Sequence, residues 1–222
     1  MLIKEKPILL LNSIHRTGNT FLSFAFRSAL CHNYGSYIDF LNDCKVYHHS
    51  HMPLLLKLTK EDCTQFVNFR HPDELIPSLT FFNNNEEITK LIEIYTVAEL
   101  ERQVESVMEE YALWIQNTLK NPDIKVIMFD DIKNNIHSVL DQILSSVGIE
   151  YKNHINELTV KNEIQEYNEK RYVTDYTFMK NHHLPRGISE TTEYKIFQSI
   201  YDKSKNKQEL LDLYAEIEKR AI

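Results

Sequence analysis

Between an apolar run, Pro7 to Ser13, and a stretch of helical spacing, Phe21 to Leu30, lies the segment Ile14-His15-Arg16-Thr17-Gly18-Asn19-Thr20. A strand, a glycine-bearing turn and a helix opening at Asn19-Thr20 would turn free backbone N–H groups and the positive end of a helix dipole toward an anion. Thr and Asn are also favoured helix-start residues, so an ordinary capped helix fits the same letters. Arg16 tilts the balance, because a guanidinium at the mouth of such a loop pairs with phosphate or sulfate oxygens. A nucleotide triphosphatase would carry G-x-x-x-x-G-K-[ST], with Lys directly after the second Gly. Here Asn19 holds that position and the cation comes before Gly18.

Two further segments carry groups of the same kind. In Arg70-His71-Pro72-Asp73-Glu74-Leu75-Ile76-Pro77-Ser78 an arginine leaves the end of a strand, and a hydroxyl on the first turns of the next helix can converge with it on one anion. A surface salt bridge and a helix hydroxyl would explain each residue singly, but not the pairing, and Asp73 and Glu74 read as helix-start acids. In Lys45-Val46-Tyr47-His48-His49-Ser50-His51-Met52-Pro53 strand alternation sets His49 and His51 on one face and His48 on the other. An imidazole, with its ordinary pKa of about 6.5, accepts a proton from a hydroxyl or amine at neutral pH. Only two of the three histidines share a side and no thiolate or carboxylate lies nearby, so a base ranks above a metal ligand and no metal is expected.

The elements that must position these groups alternate. Pro7–Ser13, Lys45–His49, Thr64–Phe69 and Asp123–Phe129 read as strands, the first as a run buried on both faces. Helical patterns follow: a long one over about 97–120, with Leu100, Val104, Val107, Met108, Tyr111, Trp114 and Ile115 on one side, then Asp131–Val147, and a closing one over 208–220. Strands separated by helices imply an α/β fold, a single-domain three-layer αβα arrangement around a central parallel sheet, with the ligand site at the carboxyl ends of the strands. The motifs fall within 7–147, and 151–222 reads as a charged, tyrosine-rich helical part.

Composition bounds the rest. The 222 residues are 42% hydrophobic and 26% charged, enough for one well-buried core, and only 4 are Gly and 6 are Pro, which excludes collagen-like or linker-rich chains. A net charge of -7 works against coating nucleic acid, although a small local anion site remains open. Cys31, Cys44 and Cys63 have no metal-type pair spacing and read as reduced thiols. With no signal-peptide pattern and no apolar run longer than Ile8 to Leu11, the expectation is a cytoplasmic protein without a membrane span.

The segment His15-Arg16-Thr17-Gly18-Asn19-Thr20-Phe21 resembles the 5′-phosphosulfate loop P-[KR]-[ST]-G-[TS]-T-[WFL] of the sulfotransferases that use 3′-phosphoadenosine 5′-phosphosulfate (PAPS). Three more segments fall in that family's order and spacing. Arg70 to Ser78 resembles R-[ND]-P-x-D-x-x-x-S, whose Arg and Ser hold the 3′-phosphate; Lys45 to Pro53 resembles the strand ending in K-[ST]-H-[LM]-P; and Val126 to Ile132 resembles the strand and acidic turn Y-E-D-[LM] that follows a Trp-bearing helix, here the helix with Trp114. Leu184-Pro185-Arg186-Gly187 is similar, more loosely, to the late R-K-G loop that closes over the 3′-phosphate.

The resemblance implies a P-loop nucleoside-triphosphatase-like fold and transfer of a sulfuryl group from PAPS to a hydroxyl or amine, leaving adenosine 3′,5′-bisphosphate (PAP). It nominates His51 as general base, Arg16, Thr17, Gly18, Asn19 and Thr20 around the 5′-phosphate and sulfate, Arg70, Ser78, Arg186 and Gly187 around the 3′-phosphate, and Phe21 to stack on adenine or to pack in the core. Arg16 stands where Lys is common, and His49 where the family has its second Lys, so leaving-group stabilisation would depend on a protonated His49 and fall off at alkaline pH. The acceptor would be a small molecule or a glycan, a choice the sequence leaves open along with the oligomeric state. A P-loop nucleotide kinase or NTPase, and a nucleotide-binding protein of this fold without catalysis, are the competing expectations.

Overall fold

In the computed structural model of the chain the described residues are 8–34, 46–51, 53–57, 63–83, 95–152, 155–171 and 192–222. Four short strands, β1 (Ile8–Asn12), β2 (Val46–Ser50), β3 (Thr64–Phe69) and β4 (Lys125–Met128), form one parallel sheet in the order β2-β1-β3-β4. In register, Leu11 of β1 lies between His49 of β2 and Phe66 of β3, and Val67 of β3 pairs with Val126 of β4.

Neighbouring residues of these strands enter two different apolar clusters. Val67, Phe69, Val126 and Met128 pack under α2 (Pro72–Asn83), α3 (Val97–Lys120), α7 (Thr192–Lys203) and α8 (Lys207–Glu218). Leu9, Leu11, Phe66 and Ile127 pack under α1 (Asn19–Tyr34), α4 (Phe129–Asn134), α5 (Ile136–Ser145) and α6 (Glu157–Arg171). A strand whose even and odd positions both meet helices must be apolar throughout, which is why Ile8–Leu11 and Val126–Met128 show no polar alternation. The result is an α/β arrangement with helices on both faces of the parallel sheet.

The helix α3 covers the residues its apolar spacing predicts, and its seven predicted core positions, Trp114 among them, are buried. Its start is fixed by Glu99, whose carboxylate accepts the Thr96 N–H at 2.7 Å and is held below the usual carboxylate range by that bond. The single helix expected over Asp131–Val147 is instead two. Asn135, at φ -136 and ψ 36, donates its N–H to Asp131 O (2.7 Å) and takes the Val139 N–H on its own carbonyl (3.2 Å), ending α4 and opening α5. Asparagine competes poorly for helix interior and well for such junctions, and the run Asn134-Asn135 supplies one. Gly148 then ends the pair as expected: at φ 81 it donates to Ser145 O (3.0 Å) while Ile149 reaches back to Leu144 O (3.0 Å).

At its other end the chain returns to β4. Arg220 donates to the carbonyls of Thr118 (2.7 Å), Asn121 (3.0 Å) and Ile124 (2.9 Å), and the Ile222 N–H reaches Val126 O at 3.1 Å. One guanidinium thereby satisfies the last turn of α3 and the turn into β4. No described helix is long and apolar enough to cross a membrane.

Candidate functional site

The strand order reverses at β1, since the chain goes from β1 to β2 on one side and then crosses to β3 on the other. In open parallel sheets a crevice forms outside the carboxyl ends at such a point. All four motif segments leave the sheet at those ends: Ser13–Gly18 after β1, His51 after β2, Arg70 after β3 and Asp130-Asp131 after β4.

The turn after β1 is built from unusual backbone. Arg16 has φ 68 and Gly18 φ 87, and Arg16 alone among the described non-glycine residues has a positive φ. A side chain in the left-handed region costs about 1–2 kcal/mol, so other contacts must hold Arg16 there. Arg70 Nη1 donates to the Arg16 carbonyl (3.2 Å), and Arg16 Nε donates to Ser78 Oγ (3.1 Å), tying backbone and side chain of the same residue to β3 and α2. Thr17, fully buried, donates its hydroxyl to Ile14 O (2.9 Å), while Asn68 of β3 donates from Nδ2 to Thr17 O (3.0 Å). The Thr17 hydroxyl proton is therefore spent inside the loop rather than turned outward. At Gly18 a Cβ would stand 2.8 Å from Cδ2 of Phe129, so the turn needs glycine for space as well as for φ.

Arg70 is the second cation. Its Nε donates to Glu74 Oε2 (2.9 Å), its Nη2 stands 2.9 Å from the same oxygen, and its guanidinium carbon lies 4.5 Å from the centroid of the Phe129 ring. Nη1 and Nη2 each carry two N–H groups, of which one at most is used, so each keeps a donor without a protein acceptor among the described residues. The backbone at Arg70 is clamped by Tyr111 of α3, whose buried phenol donates to Arg70 O (2.6 Å) and accepts from Arg70 N (3.3 Å). Burial first, and then the charge of Arg70, bring the Arg16 guanidinium down to about 10, where it is still a cation at neutral pH. Two guanidinium groups are thus held together at the cost of their own repulsion, an arrangement that an anion relieves.

His51 stands on the β2 side of the loop. Its Nδ1 is 2.8 Å from the Ser13 carbonyl, and since a carbonyl only accepts, Nδ1 carries the proton and Nε2 is the basic nitrogen of the neutral ring. Burial lowers its pKa from the ordinary 6.5, against the opposing effect of the Ser13 bond, so the neutral form prevails at pH 7. The His15 ring lies on it, centroids 3.8 Å apart and 27° from coplanar.

No protein-family model matches this chain, and no curated protein does.

The structure therefore brings Arg16, Thr17, Gly18, Arg70, Ser78 and His51 to one end of the sheet. Thr20 lies in the first turn of α1, where Leu22 N–H bonds Gly18 O (3.0 Å) and the preceding amides have no intrahelical acceptor; Asn19 begins that helix. Phe21 is half-buried against the α1, α5 and α6 cluster, with Lys161 Nζ 6.0 Å from its ring centroid, which fits the packing alternative for it. His49 pairs with Leu11 in β2, but its side chain, like Arg186 and Gly187, lies outside the described residues. Glu74, read as a helix-start acid, is the partner of Arg70, and Asp73 pairs with Lys207 of α8 at 3.0 Å.

Four site residues escape the sequence patterns. Tyr111 and Asn68 look like core letters in apolar runs, and Phe129 like the last letter of a strand. Tyr194 lies in the first turn of α7, far along the chain: burial raises its phenol, and the charges of Arg70 and, less strongly, Arg16 pull it back, so both cations act on it electrostatically. Only a glycine with no room for a Cβ, or an aromatic directly before the acidic pair Asp130-Asp131, hints at Phe129 in the letters.

Proposed function

We propose that the chain is a PAPS-dependent sulfotransferase with a P-loop nucleoside-triphosphatase-like fold, transferring a sulfuryl group to a hydroxyl or amine of a small-molecule or glycan acceptor. The observation that carries the reading is the meeting of Arg16 and Arg70, 54 residues apart, at the reversal point of the sheet, with Ser78 joined to Arg16 and unspent N–H donors on Arg70. Two cations beside a helix N-terminus suit an anionic ligand such as a phosphate or sulfate ester. PAPS would supply a sulfuryl group already bonded to a phosphate leaving group.

The chain's residues divide that work. The amides opening α1 and the Arg16 guanidinium bind the 5′ end, and Arg70 with Tyr194 binds the 3′-phosphate. His51 Nε2 takes the proton of the acceptor O–H or N–H as the acceptor's electron pair closes on sulfur. Arg16 meets the charge left on the 5′-phosphate oxygen when the S–O bond breaks and its electron pair stays with that oxygen. Positioning and charge neutralisation account for most of the rate in transfers of this kind. Glu74 is paired with Arg70 and Asp73 with Lys207, and no group of three or more His, Cys, Asp or Glu suited to a metal ion occurs among the described residues.

The test is transfer of label from [35S]PAPS to a panel of alcohols, phenols, amines and sugars. His51→Ala is expected to abolish turnover and leave PAP binding intact; loss of both together would remove the base role from His51.

A further inference from the structure

His51 is held within its own plane by a hydrogen bond, Nδ1 to the Ser13 carbonyl at 2.8 Å. That in-plane bond fixes which nitrogen carries the proton and does not by itself set the tilt of the ring. A constraint on the ring face comes from His15, an exposed residue of the β1–α1 turn whose ring covers a face of His51 at 3.8 Å between centroids. His15 directly precedes Arg16, whose left-handed φ of 68 sets the direction in which the chain leaves the turn. Loop conformation and imidazole plane are therefore joined through two adjacent residues.

We propose that His15 is a positioning residue for His51: its stacked ring holds the His51 imidazole in the plane that keeps Nδ1–H on the Ser13 carbonyl and Nε2 as the basic nitrogen. An exposed histidine spends side-chain entropy to lie flat on a neighbour, and the return is a base presented in one tautomer and one orientation. Orientation of this kind lowers the barrier of the proton-transfer step without altering nucleotide binding. Loss of the ring should be felt at His51 first and at the transferred group second. The catalytic part of the proposal rests on the sulfotransferase reading; the structural part does not.

Two variants separate ring from charge. His15→Phe keeps a flat ring over His51, and His15→Ala removes it. The 15N shifts of the His51 ring, read in the whole protein near pH 7.5, report its tautomer directly. His15→Ala is expected to move the Nδ1 and Nε2 shifts toward the average of an unrestrained imidazole and to lower kcat about fivefold to tenfold, with the KM for PAPS unchanged. His15→Phe should retain the wild-type shifts and rate. Wild-type shifts in His15→Ala, or a His15→Phe protein that behaves as His15→Ala does, would overturn the proposal. If the wild type transfers no sulfuryl group to any acceptor, the function reading fails while the ring shifts still decide the role of His15.

Discussion

Arg16 combines a left-handed backbone, a half-buried charge and a second guanidinium beside it, three unfavourable conditions that the fold imposes on one residue. Gly18, two positions on, takes the same region of φ without a side chain, and Phe129 fills the space where a Cβ would be. Gly18→Ala is accordingly expected to destabilise the protein by about 2 kcal/mol or more, from the left-handed φ and the displaced ring together. The measurement is chemical denaturation, and an unchanged midpoint would contradict this geometry. Burial holds the pKa of His51 below 6.5 in the folded protein, so the basic form is already present at pH 6.5 and the acid limb of kcat/KM, which reports the free enzyme, should have its midpoint below that value. The same shift has a sign for stability: as pH falls through 6.5 the unfolded chain takes up the proton first, and the contribution of a neutral His51, complete above that pH, is lost toward acid. A pH-rate profile with its acid midpoint above 6.5 would remove His51 as the titrating base, and a flat rate above pH 8 would remove a cationic His49.

Among the elements, those with strong internal patterns are legible in the sequence. Helix α3 has the limits its apolar stripe predicts, and β3 starts and stops where its letters do. The loops were legible by residue type, because Gly18, Arg16 and Arg70 are rare letters in demanding places. What the letters could not show is contact between distant elements. Tyr111 follows the core stripe of α3 like any buried aromatic, yet its hydroxyl meets both backbone polar groups of Arg70. Tyr194 sits in a helix whose pattern says nothing of the turn after β1, and the charges of the two cations act on it because α7 packs beside α2 and α3. The break at Asn135 was hidden because apolar spacing continues across it. Tyr111→Phe keeps the ring and deletes that double bond, leaving a buried N–H and C=O with water at best. The expected cost is about 1–3 kcal/mol in denaturation, with weaker PAP binding because Arg70 is no longer fixed; an unaltered affinity would show that Arg70 holds its place without the phenol.

Across the whole molecule the sheet divides labour between its faces. One layer of helices carries α2, whose Ser78 accepts from Arg16, and α7, whose Tyr194 feels the charge of both cations, and the other carries α1, whose first turn offers its amides; the crevice between β1 and β3 is where the two layers can act on one ligand. Asn19 in place of the triphosphatase lysine argues against a polyphosphate chain folded into the β1–α1 loop, whereas the proposed PAPS reading requires anions at both ends of a nucleoside. The direct test is thermal stability with PAP and, separately, with ATP and magnesium. Saturating PAP at about 100 times its dissociation constant should add about 2.7 kcal/mol, a rise of a few degrees for a chain of this size, and ATP with magnesium should add little. Stabilisation by ATP with magnesium and none by PAP would contradict the sulfotransferase account and favour a nucleotide kinase.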